Sequence, residues 1–262
     1  MSTPHDLSRR QTLAILAAAP LSAVAASTAG AQPSRARSTT FVLVHGAWHG
    51  GWCWTKLAPL LRAAGHQVFS PTLTGLGERA HQLGPDVDLA AHVQDIVDVL
   101  EYEDLNDVVL VGHSYGGMVI AGAAASAASR VGQLVYLDAF LPDDGKSVQD
   151  YCHLAPTRDD GWRVPSPATP QQFGITNEAD AAWVAHRLRD QPLKTFTQPV
   201  HMPRTVAAPR QTFIQCTEWP WFVEAAERSK QQGYRYHALL SAGHDAMLSE
   251  PERLAGLLIA LA

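Results

Sequence analysis

The sequence predicts an α/β fold in which a mostly parallel central sheet is flanked by helices. Short continuous apolar runs, typical of strands that are covered on both faces, recur along the chain. In the segments that separate the first three of these runs, apolar residues recur at the spacing typical of helices. Strands therefore alternate with helices up to residue 111, an order that favours right-handed crossovers and parallel strands.

Composition and charge indicate a folded domain with a large core. Of the 262 residues, 46% are hydrophobic and 17% are charged, and the formal net charge is −5. This charge gives no reason to expect a nucleic acid or an anionic membrane as a partner. Three widely spaced cysteines show no spacing typical of metal ligands, so we expect buried free thiols and no metal or organic cofactor: Cys53, Cys152 and Cys216.

The N-terminus has the pattern of an export signal. Arg9 and Arg10 precede an alanine- and leucine-rich run, and residues 29–31 (Ala-Gly-Ala) fit a cleavage site between small residues. The arginine pair indicates the twin-arginine route. An anchor helix is disfavoured, because the run is short for a bilayer and contains Pro20. We therefore predict a cleaved signal over residues 1–31 and a periplasmic or secreted bacterial protein without a stable membrane anchor.

Three strands and two helices are predicted in the first half of the chain. The second helix has Asp88 as its expected N-cap. In chain order these elements cover residues 41–44 (strand), 54–64 (helix), 66–69 (strand), 89–100 (helix) and 108–111 (strand).

The third strand ends in a sequence that positions a nucleophile. Gly-x-Ser-x-Gly between a strand and a helix-forming segment is typical of a nucleophile elbow, here with Ser114 as the nucleophile. The strained backbone of such a serine requires small residues two positions before and after it, and Gly112 and Gly116 meet this requirement. We expect the oxyanion hole to consist of the backbone N–H groups of Ala47, after the first strand, and Tyr115.

A carboxylate and a long insertion follow the next strand. The strand over residues 133–138 ends in Asp138, at the edge where parallel α/β sheets bind their ligands. The proline-rich residues 142–209 break the strand–helix pattern directly afterwards. They are predicted to form a cap over the site, inserted into a core of residues 32–141 and 210–262.

The end of the chain supplies the predicted base. Two further strands cover residues 212–218 and 236–240, and His244 follows the second of them, where a general base belongs. Ser249 and Glu252 have the spacing of a capping box that would open the closing helix.

Five separated motifs resemble those of one family. They cover the mature chain except for the cap: residues 41–47 (Phe-Val-Leu-Val-His-Gly-Ala), 49–54 (His-Gly-Gly-Trp-Cys-Trp), 112–118 (Gly-His-Ser-Tyr-Gly-Gly-Met), 136–142 (Tyr-Leu-Asp-Ala-Phe-Leu-Pro) and 243–248 (Gly-His-Asp-Ala-Met-Leu). On these motifs the chain resembles the α/β-hydrolases, in particular the esterase branch that contains plant methylesterases, the salicylate-binding esterase and hydroxynitrile lyases. Bacterial esterases and carbamate-cleaving hydrolases of this branch are similar too. The resemblance implies the α/β-hydrolase fold and a triad in the chain order serine, acid, histidine.

Two departures from the lyases favour an esterase. Hydroxynitrile lyases carry threonine where this chain has Gly46, and lysine directly after the catalytic histidine, where this chain has Asp245. Because the chain lacks both residues, it resembles the esterases more than the lyases.

The acid of the triad has two candidates. Plant members place it after the penultimate strand in a Thr-Glu-Asp sequence, but here that sequence is Thr-Glu-Trp, with Glu218 followed by Trp219. Haloalkane dehalogenases, which the chain resembles at Tyr-Leu-Asp-Ala, have their acid at the position of Asp138. We favour Asp138 and keep Glu218 as the alternative.

The motifs and the resemblance imply a serine hydrolase, a carboxylesterase that cleaves a small organic ester through an acyl-enzyme. His244 would take the proton from Ser114, and the acid would orient the imidazole. The same machinery can cleave a carbamate or an amide, which is the alternative. A hydroxynitrile lyase and a non-catalytic ligand receptor are less favoured. No feature of the sequence sets the oligomeric state.

Overall fold

Six parallel strands form the centre of the fold. The computed structural model describes residues 38–202 and 209–262, and its strands are β1 (Thr40–Val44), β2 (Gln67–Phe69), β3 (Val108–His113), β4 (Val131–Leu137), β5 (Arg163–Val164), β6 (Gln191–Pro192), β7 (Arg210–Cys216) and β8 (Arg235–Leu239). The parallel sheet has the order β2-β1-β3-β4-β7-β8, and β5 and β6 form a separate antiparallel pair. The predicted fold class is confirmed.

Helices cover both faces of the sheet. They are α1 (Leu57–Ala63), α2 (Leu89–Tyr102), α3 (Gly116–Ser126), α4 (Glu178–Ala185), α5 (Lys194–Thr197), α6 (Val223–Gln231), α7 (Ala246–Ser249) and α8 (Pro251–Leu261). Side chains of α2, α3 and α6 pack in one apolar core, and those of α1 and α8 pack in a second. Successive residues of β1 alternate between the two cores, as Phe41 and Val42 show. Because both faces are covered, the strand sequences are continuously apolar.

Helix starts agree with the sequence in one place and differ in another. The Asp88 carboxylate caps α2 as predicted and accepts the N–H of Ala91 at 2.9 Å. The helix predicted over residues 54–64 is divided, since a 3-10 helix covers Gly51–Trp54 and α1 begins at Leu57.

The predicted capping box at the closing helix is wrong. Helix α8 begins at Pro251, and its N-cap residue, Glu250, makes no side-chain cap hydrogen bond. Ser249 instead ends the preceding helix, where its hydroxyl donates to the carbonyl oxygen of Asp245 at 3.3 Å. A proline at the first helical position has no N–H to be capped, so Ser249 and Glu252 have lost the role that their spacing suggested.

Two other predictions concern the termini and the thiols. The predicted export signal, residues 1–31, lies outside the described residues. Across the described ranges, no helix is both long and apolar enough to cross a bilayer.

All three cysteines are free; Cys53 and Cys216 are buried as predicted, whereas Cys152 is half-buried.

Two glycines permit the tight turn between β3 and α3. A Cβ atom on Gly112 would lie 2.6 Å from the carbonyl oxygen of Gly116, and one on Gly116 would lie 2.7 Å from that of Val44. Ser114 stands between them with a φ of +53°. A left-handed backbone costs a residue other than glycine about 1–3 kcal/mol. The surrounding space therefore requires the two glycines, and the backbone strain falls on the serine.

Gly116→Ala should lower the free energy of unfolding by about 1–3 kcal/mol, because the new methyl group overlaps a backbone oxygen of β1. Gly256→Ala is the matched control, since this exposed position in α8 has nothing within 4 Å of an added Cβ. The free energy of unfolding of the control should rise by up to about 1 kcal/mol, because alanine has a higher helix propensity than glycine. Urea unfolding of both variants measures the difference, and equal effects would contradict the steric explanation.

Candidate active site

Backbone hydrogen bonds hold Ser114 at the carboxyl end of β3. Its N–H donates to the carbonyl oxygen of Leu137 at 3.2 Å, and its own carbonyl oxygen accepts the N–H groups of Gly117 and Phe140, each at 3.1 Å. These bonds keep the residue in its left-handed conformation. The serine is 8% exposed and borders a mostly apolar cavity at this edge of the sheet.

His244 lies against Asp138. The imidazole Nδ1 is 2.7 Å from Asp138 Oδ2, and the other carboxyl oxygen accepts the backbone N–H of Cys216 at 3.1 Å. The backbone N–H of Asp138 donates to the carbonyl oxygen of Ile214 at 2.7 Å, so β7 anchors the acid twice. Glu218, the alternative acid, is exposed and makes no hydrogen bond to His244 among the described residues. Of the two candidates, the structure brings Asp138 to the histidine.

Burial shifts the pKa values of both His244 and Asp138. Loss of contact with water lowers the pKa of His244 to about 4, so its imidazole is neutral at pH 7. Burial also raises the pKa of the Asp138 carboxyl, and the N–H of Cys216 acts in the opposite direction. When the neutral imidazole carries its proton on Nδ1, toward Asp138, it presents Nε2 as a hydrogen-bond acceptor.

Aromatic rings enclose His244. Trp219 and Phe222 stack on it with ring centroids 5.1 and 5.5 Å away and interplanar angles of 24° and 14°. Phe173 lies 5.7 Å away in a tilted orientation. In the sequence alone, Trp219 is only the residue at the position where the plant members have their acid. The aromatic residues that follow β7 are the sequence feature that could have predicted that His244 is enclosed by rings. Such ring faces shield the imidazole from water and stabilise positive charge on it.

One cavity brings the predicted site residues together. Ser114, His244, Ala47 and Tyr115 all border a space of about 770 Å³, its open mouth included, which suits a small organic molecule. The segment predicted as a cap contributes apolar walls, among them Val148, Leu154, Phe173 and Phe196. No hydrogen bond joins the Ser114 hydroxyl to His244 among the described residues, and catalytic hydrogen bonds commonly tighten when substrate binds.

The segment predicted as a cap also fixes the loop after β1. Trp48 has a φ of +65°. Its backbone N–H donates to Gln191 Oε1 at 3.1 Å and its indole N–H to the carbonyl oxygen of Val164 at 2.9 Å. Its own carbonyl oxygen accepts the N–H of Arg189 at 2.9 Å. These three bonds hold the backbone immediately after Ala47.

The predicted oxyanion donors are available in this arrangement. Within the part of the chain that the structure describes, neither the N–H of Ala47 nor that of Tyr115 donates to another protein group. Both residues are buried and border the cavity beside Ser114. Two unsatisfied N–H groups next to a nucleophile can hold an oxygen that becomes negatively charged. Over residues 38–202 and 209–262, no group of His, Cys, Asp and Glu could hold a metal ion.

Comparison with known proteins identifies the family. The model of the Alpha/beta hydrolase family matches residues 41–257. The chain belongs to this family. A carbendazim hydrolyzing esterase of Nocardioides sp. (strain SG-4G) is 38% identical over 242 residues, which cover 84% of this chain and 98% of the relative. Salicylic acid-binding protein 2 of Nicotiana tabacum is 29% identical over 252 residues, with 85% and 96% covered.

A solved structure supports the same fold. An extracellular alpha/beta-hydrolase from a Paenibacillus species has a TM-score of 0.72 at 24% identity, and the match covers 85% of this chain and 98% of that chain. The family resemblance that the motifs indicated is confirmed, and the chain is an esterase-type hydrolase.

Asp138→Asn should lower kcat on a nitrophenyl ester by about 10³- to 10⁴-fold, because an amide does not keep the imidazole in the tautomer that accepts a proton on Nε2. Glu218→Gln is the isosteric control at the exposed candidate and should change kcat by less than about twofold. Steady-state kinetics on folded proteins decide between them. A large loss in Glu218→Gln, with Asp138→Asn still active, would reverse the assignment of the acid.

Proposed function

We propose that the chain is a serine hydrolase that cleaves the carboxylic ester of a small organic molecule through an acyl-enzyme. The observation that carries the proposal is the 2.7 Å contact of His244 with Asp138, together with the cavity that His244 and Ser114 both border. The base, its orienting acid and a nucleophile on a strained turn are the parts that acyl transfer to water requires.

Acylation begins when His244 Nε2 takes the hydroxyl proton of Ser114. The Oγ attacks the ester carbonyl, and the N–H groups of Ala47 and Tyr115 hold the oxygen that becomes negative. As the tetrahedral intermediate collapses, the bond to the leaving alcohol breaks, and the alcohol takes the proton from His244. Water then repeats these steps on the acyl-enzyme, which releases the acid and restores the Ser114 hydroxyl.

The surroundings of His244 support its role as the base. Burial keeps the imidazole neutral before the reaction, and proton transfer from Ser114 creates a buried positive charge. Asp138 offsets that charge directly, and the ring faces of Trp219 and Phe222 add a smaller favourable interaction. The charge is therefore stabilised once it forms, although His244 is buried.

Two positions favour hydrolysis over cleavage of a cyanohydrin. A Cβ atom on Gly46 would lie 2.9 Å from His113 Nδ1 and 3.0 Å from Ser114 Cβ, so the threonine that the lyases carry would crowd the nucleophile. Asp245 is fully buried and has no ammonium group to offer a cyanide leaving group. The residues that distinguish the lyases are thus replaced by ones that suit an esterase.

A carbamate is the second candidate substrate. The relative with 38% identity is named for the hydrolysis of carbendazim, which is itself a methyl carbamate. The same serine, base and oxyanion donors can attack a carbamate carbonyl. A methyl ester and a methyl carbamate of one aryl group, compared by kcat/KM, separate the two candidates.

We further propose that the protein is exported through the twin-arginine route. The support is the sequence of residues 1–31, with Arg9 and Arg10 ahead of an apolar run and small residues at its end. Replacing both arginines with lysine should keep the full-length precursor in the cytoplasm of a bacterial host. Fractionation and immunoblotting measure this, with the unaltered signal as the control. Undiminished export of the lysine variant would contradict the twin-arginine route.

Ser114→Ala should lower kcat on a nitrophenyl acetate by about 10⁶-fold, because the attacking oxygen is removed. Far-ultraviolet circular dichroism should show an unchanged fold, since the hydroxyl makes no structural hydrogen bond in the described chain. Retention of esterase activity by the folded variant would rule out the acyl-enzyme mechanism at this residue.

A further inference from the structure

A buried histidine–carboxylate pair lies beside the site and has no part in the mechanism above. His49 Nε2 is 3.1 Å from Asp245 Oδ2, and the two side chains are 2% and 0% exposed. His49 belongs to the loop after β1 that carries Ala47, and Asp245 directly follows His244. The contact therefore joins the loop of an oxyanion donor to the loop of the base.

The second nitrogen of His49 fixes its protonation. Nδ1 lies 2.7 Å from the carbonyl oxygen of Ala47, which only accepts, so Nδ1 carries a proton. Although burial opposes it, the charge and hydrogen bond of Asp245 raise the pKa of His49. Burial acts to raise the pKa of Asp245, but His49 holds it below its usual range. The contact is therefore an imidazolium–carboxylate ion pair.

The neighbouring groups leave this ion pair isolated. His113 lies 3.8 Å from Asp245 Oδ1, but its Nε2 donates to the carbonyl oxygen of His244 at 3.1 Å. Burial keeps the pKa of His113 well below its usual value and lowers that of His45 to about 3, so both are neutral. On its other side His49 stacks against Trp52 at 5.2 Å. A buried charge with one partner makes removal of that partner costly.

We propose that the His49–Asp245 ion pair is a positioning device that fixes the Ala47 N–H relative to His244. This inference rests on the proposed acyl-enzyme mechanism. Two successive hydrogen bonds run from the carbonyl of Ala47 through the His49 ring to Asp245, the chain neighbour of the base. The bonds of Trp48 hold the same loop from the segment predicted as a cap. Ala47 is thereby fixed from two directions.

The ion pair should act on the transition state more than on substrate binding. Full negative charge reaches the Ala47 N–H only in the tetrahedral state, and a donor displaced by a fraction of an ångström stabilises it much less. Substrate binding depends mainly on the apolar walls of the cavity, which His49 and Asp245 do not line. Loss of the ion pair is thus expected to lower kcat and to leave KM nearly unchanged.

Asp245→Asn and His49→Gln should each lower kcat on a nitrophenyl ester by about 10- to 100-fold, with KM changed by less than about twofold. A trifluoromethyl ketone, which forms the tetrahedral oxyanion with a serine, should bind more weakly by the same factor as kcat/KM falls. The double variant should show a decrease in kcat no greater than that of the more affected single variant, because both substitutions break the same interaction. His66→Gln is the control, a buried histidine that accepts the N–H of Thr39 far from the cavity.

A folded Asp245→Asn or His49→Gln protein with unchanged kcat and unchanged affinity for the ketone would overturn the proposal, even if its stability were reduced. Should neither variant fold, ¹⁵N NMR of the unaltered protein tests the pair directly. Protons on both ring nitrogens of His49 at neutral pH support the proposal, and a neutral ring overturns it. If the positioning role is contradicted but Ser114→Ala is inactive, the proposed function still holds. If Ser114→Ala is active, the proposed function itself is contradicted.

Discussion

Asp138 and His244 meet across 2.7 Å although they are 106 positions apart in the chain. The contact depends on the strand order β4-β7-β8, because the acid follows β4, the histidine follows β8, and β7 lies between them. Strand β7 supplies the N–H of Cys216 that holds the second carboxyl oxygen. One hydrogen bond, set by the pairing of three strands, thus fixes the orientation and tautomer of the imidazole, and both proton-accepting steps of the proposed chemistry require that tautomer.

Exclusion of water makes this hydrogen bond effective. In a medium of low polarity, charges interact more strongly than in water, and a buried group with a missing partner is destabilised more. The rings of Trp219, Phe222 and Phe173 exclude water around His244, and the same burial lowers the pKa of its imidazole to about 4. The proposed base is therefore neutral before the reaction, and the imidazolium that the mechanism requires would lie against a carboxylate and two ring faces.

Local sequence signals predicted the sheet and the elbow, whereas contacts between distant segments could not be derived from them. Ser114 stands in a motif whose geometry depends on its immediate neighbours, so its place at the cavity was predictable. Asp138 and Glu218 both follow strands of one sheet edge, and the choice between them depends on which side chain turns inward. The contact of His49 with Asp245 joins residues 196 positions apart, and its ion pair requires burial, which no local pattern encodes.

The most direct test of the proposed mechanism is a crystal structure of the protein after reaction with a nitrophenyl alkylphosphonate, whose phosphorus mimics the tetrahedral carbon. The mechanism predicts phosphorus bonded to Ser114 Oγ, with one phosphonyl oxygen about 2.7–3.1 Å from the N–H nitrogens of both Ala47 and Tyr115. His244 should keep its bond to Asp138. Attachment to another residue, or a phosphonyl oxygen directed away from both N–H groups, would contradict it.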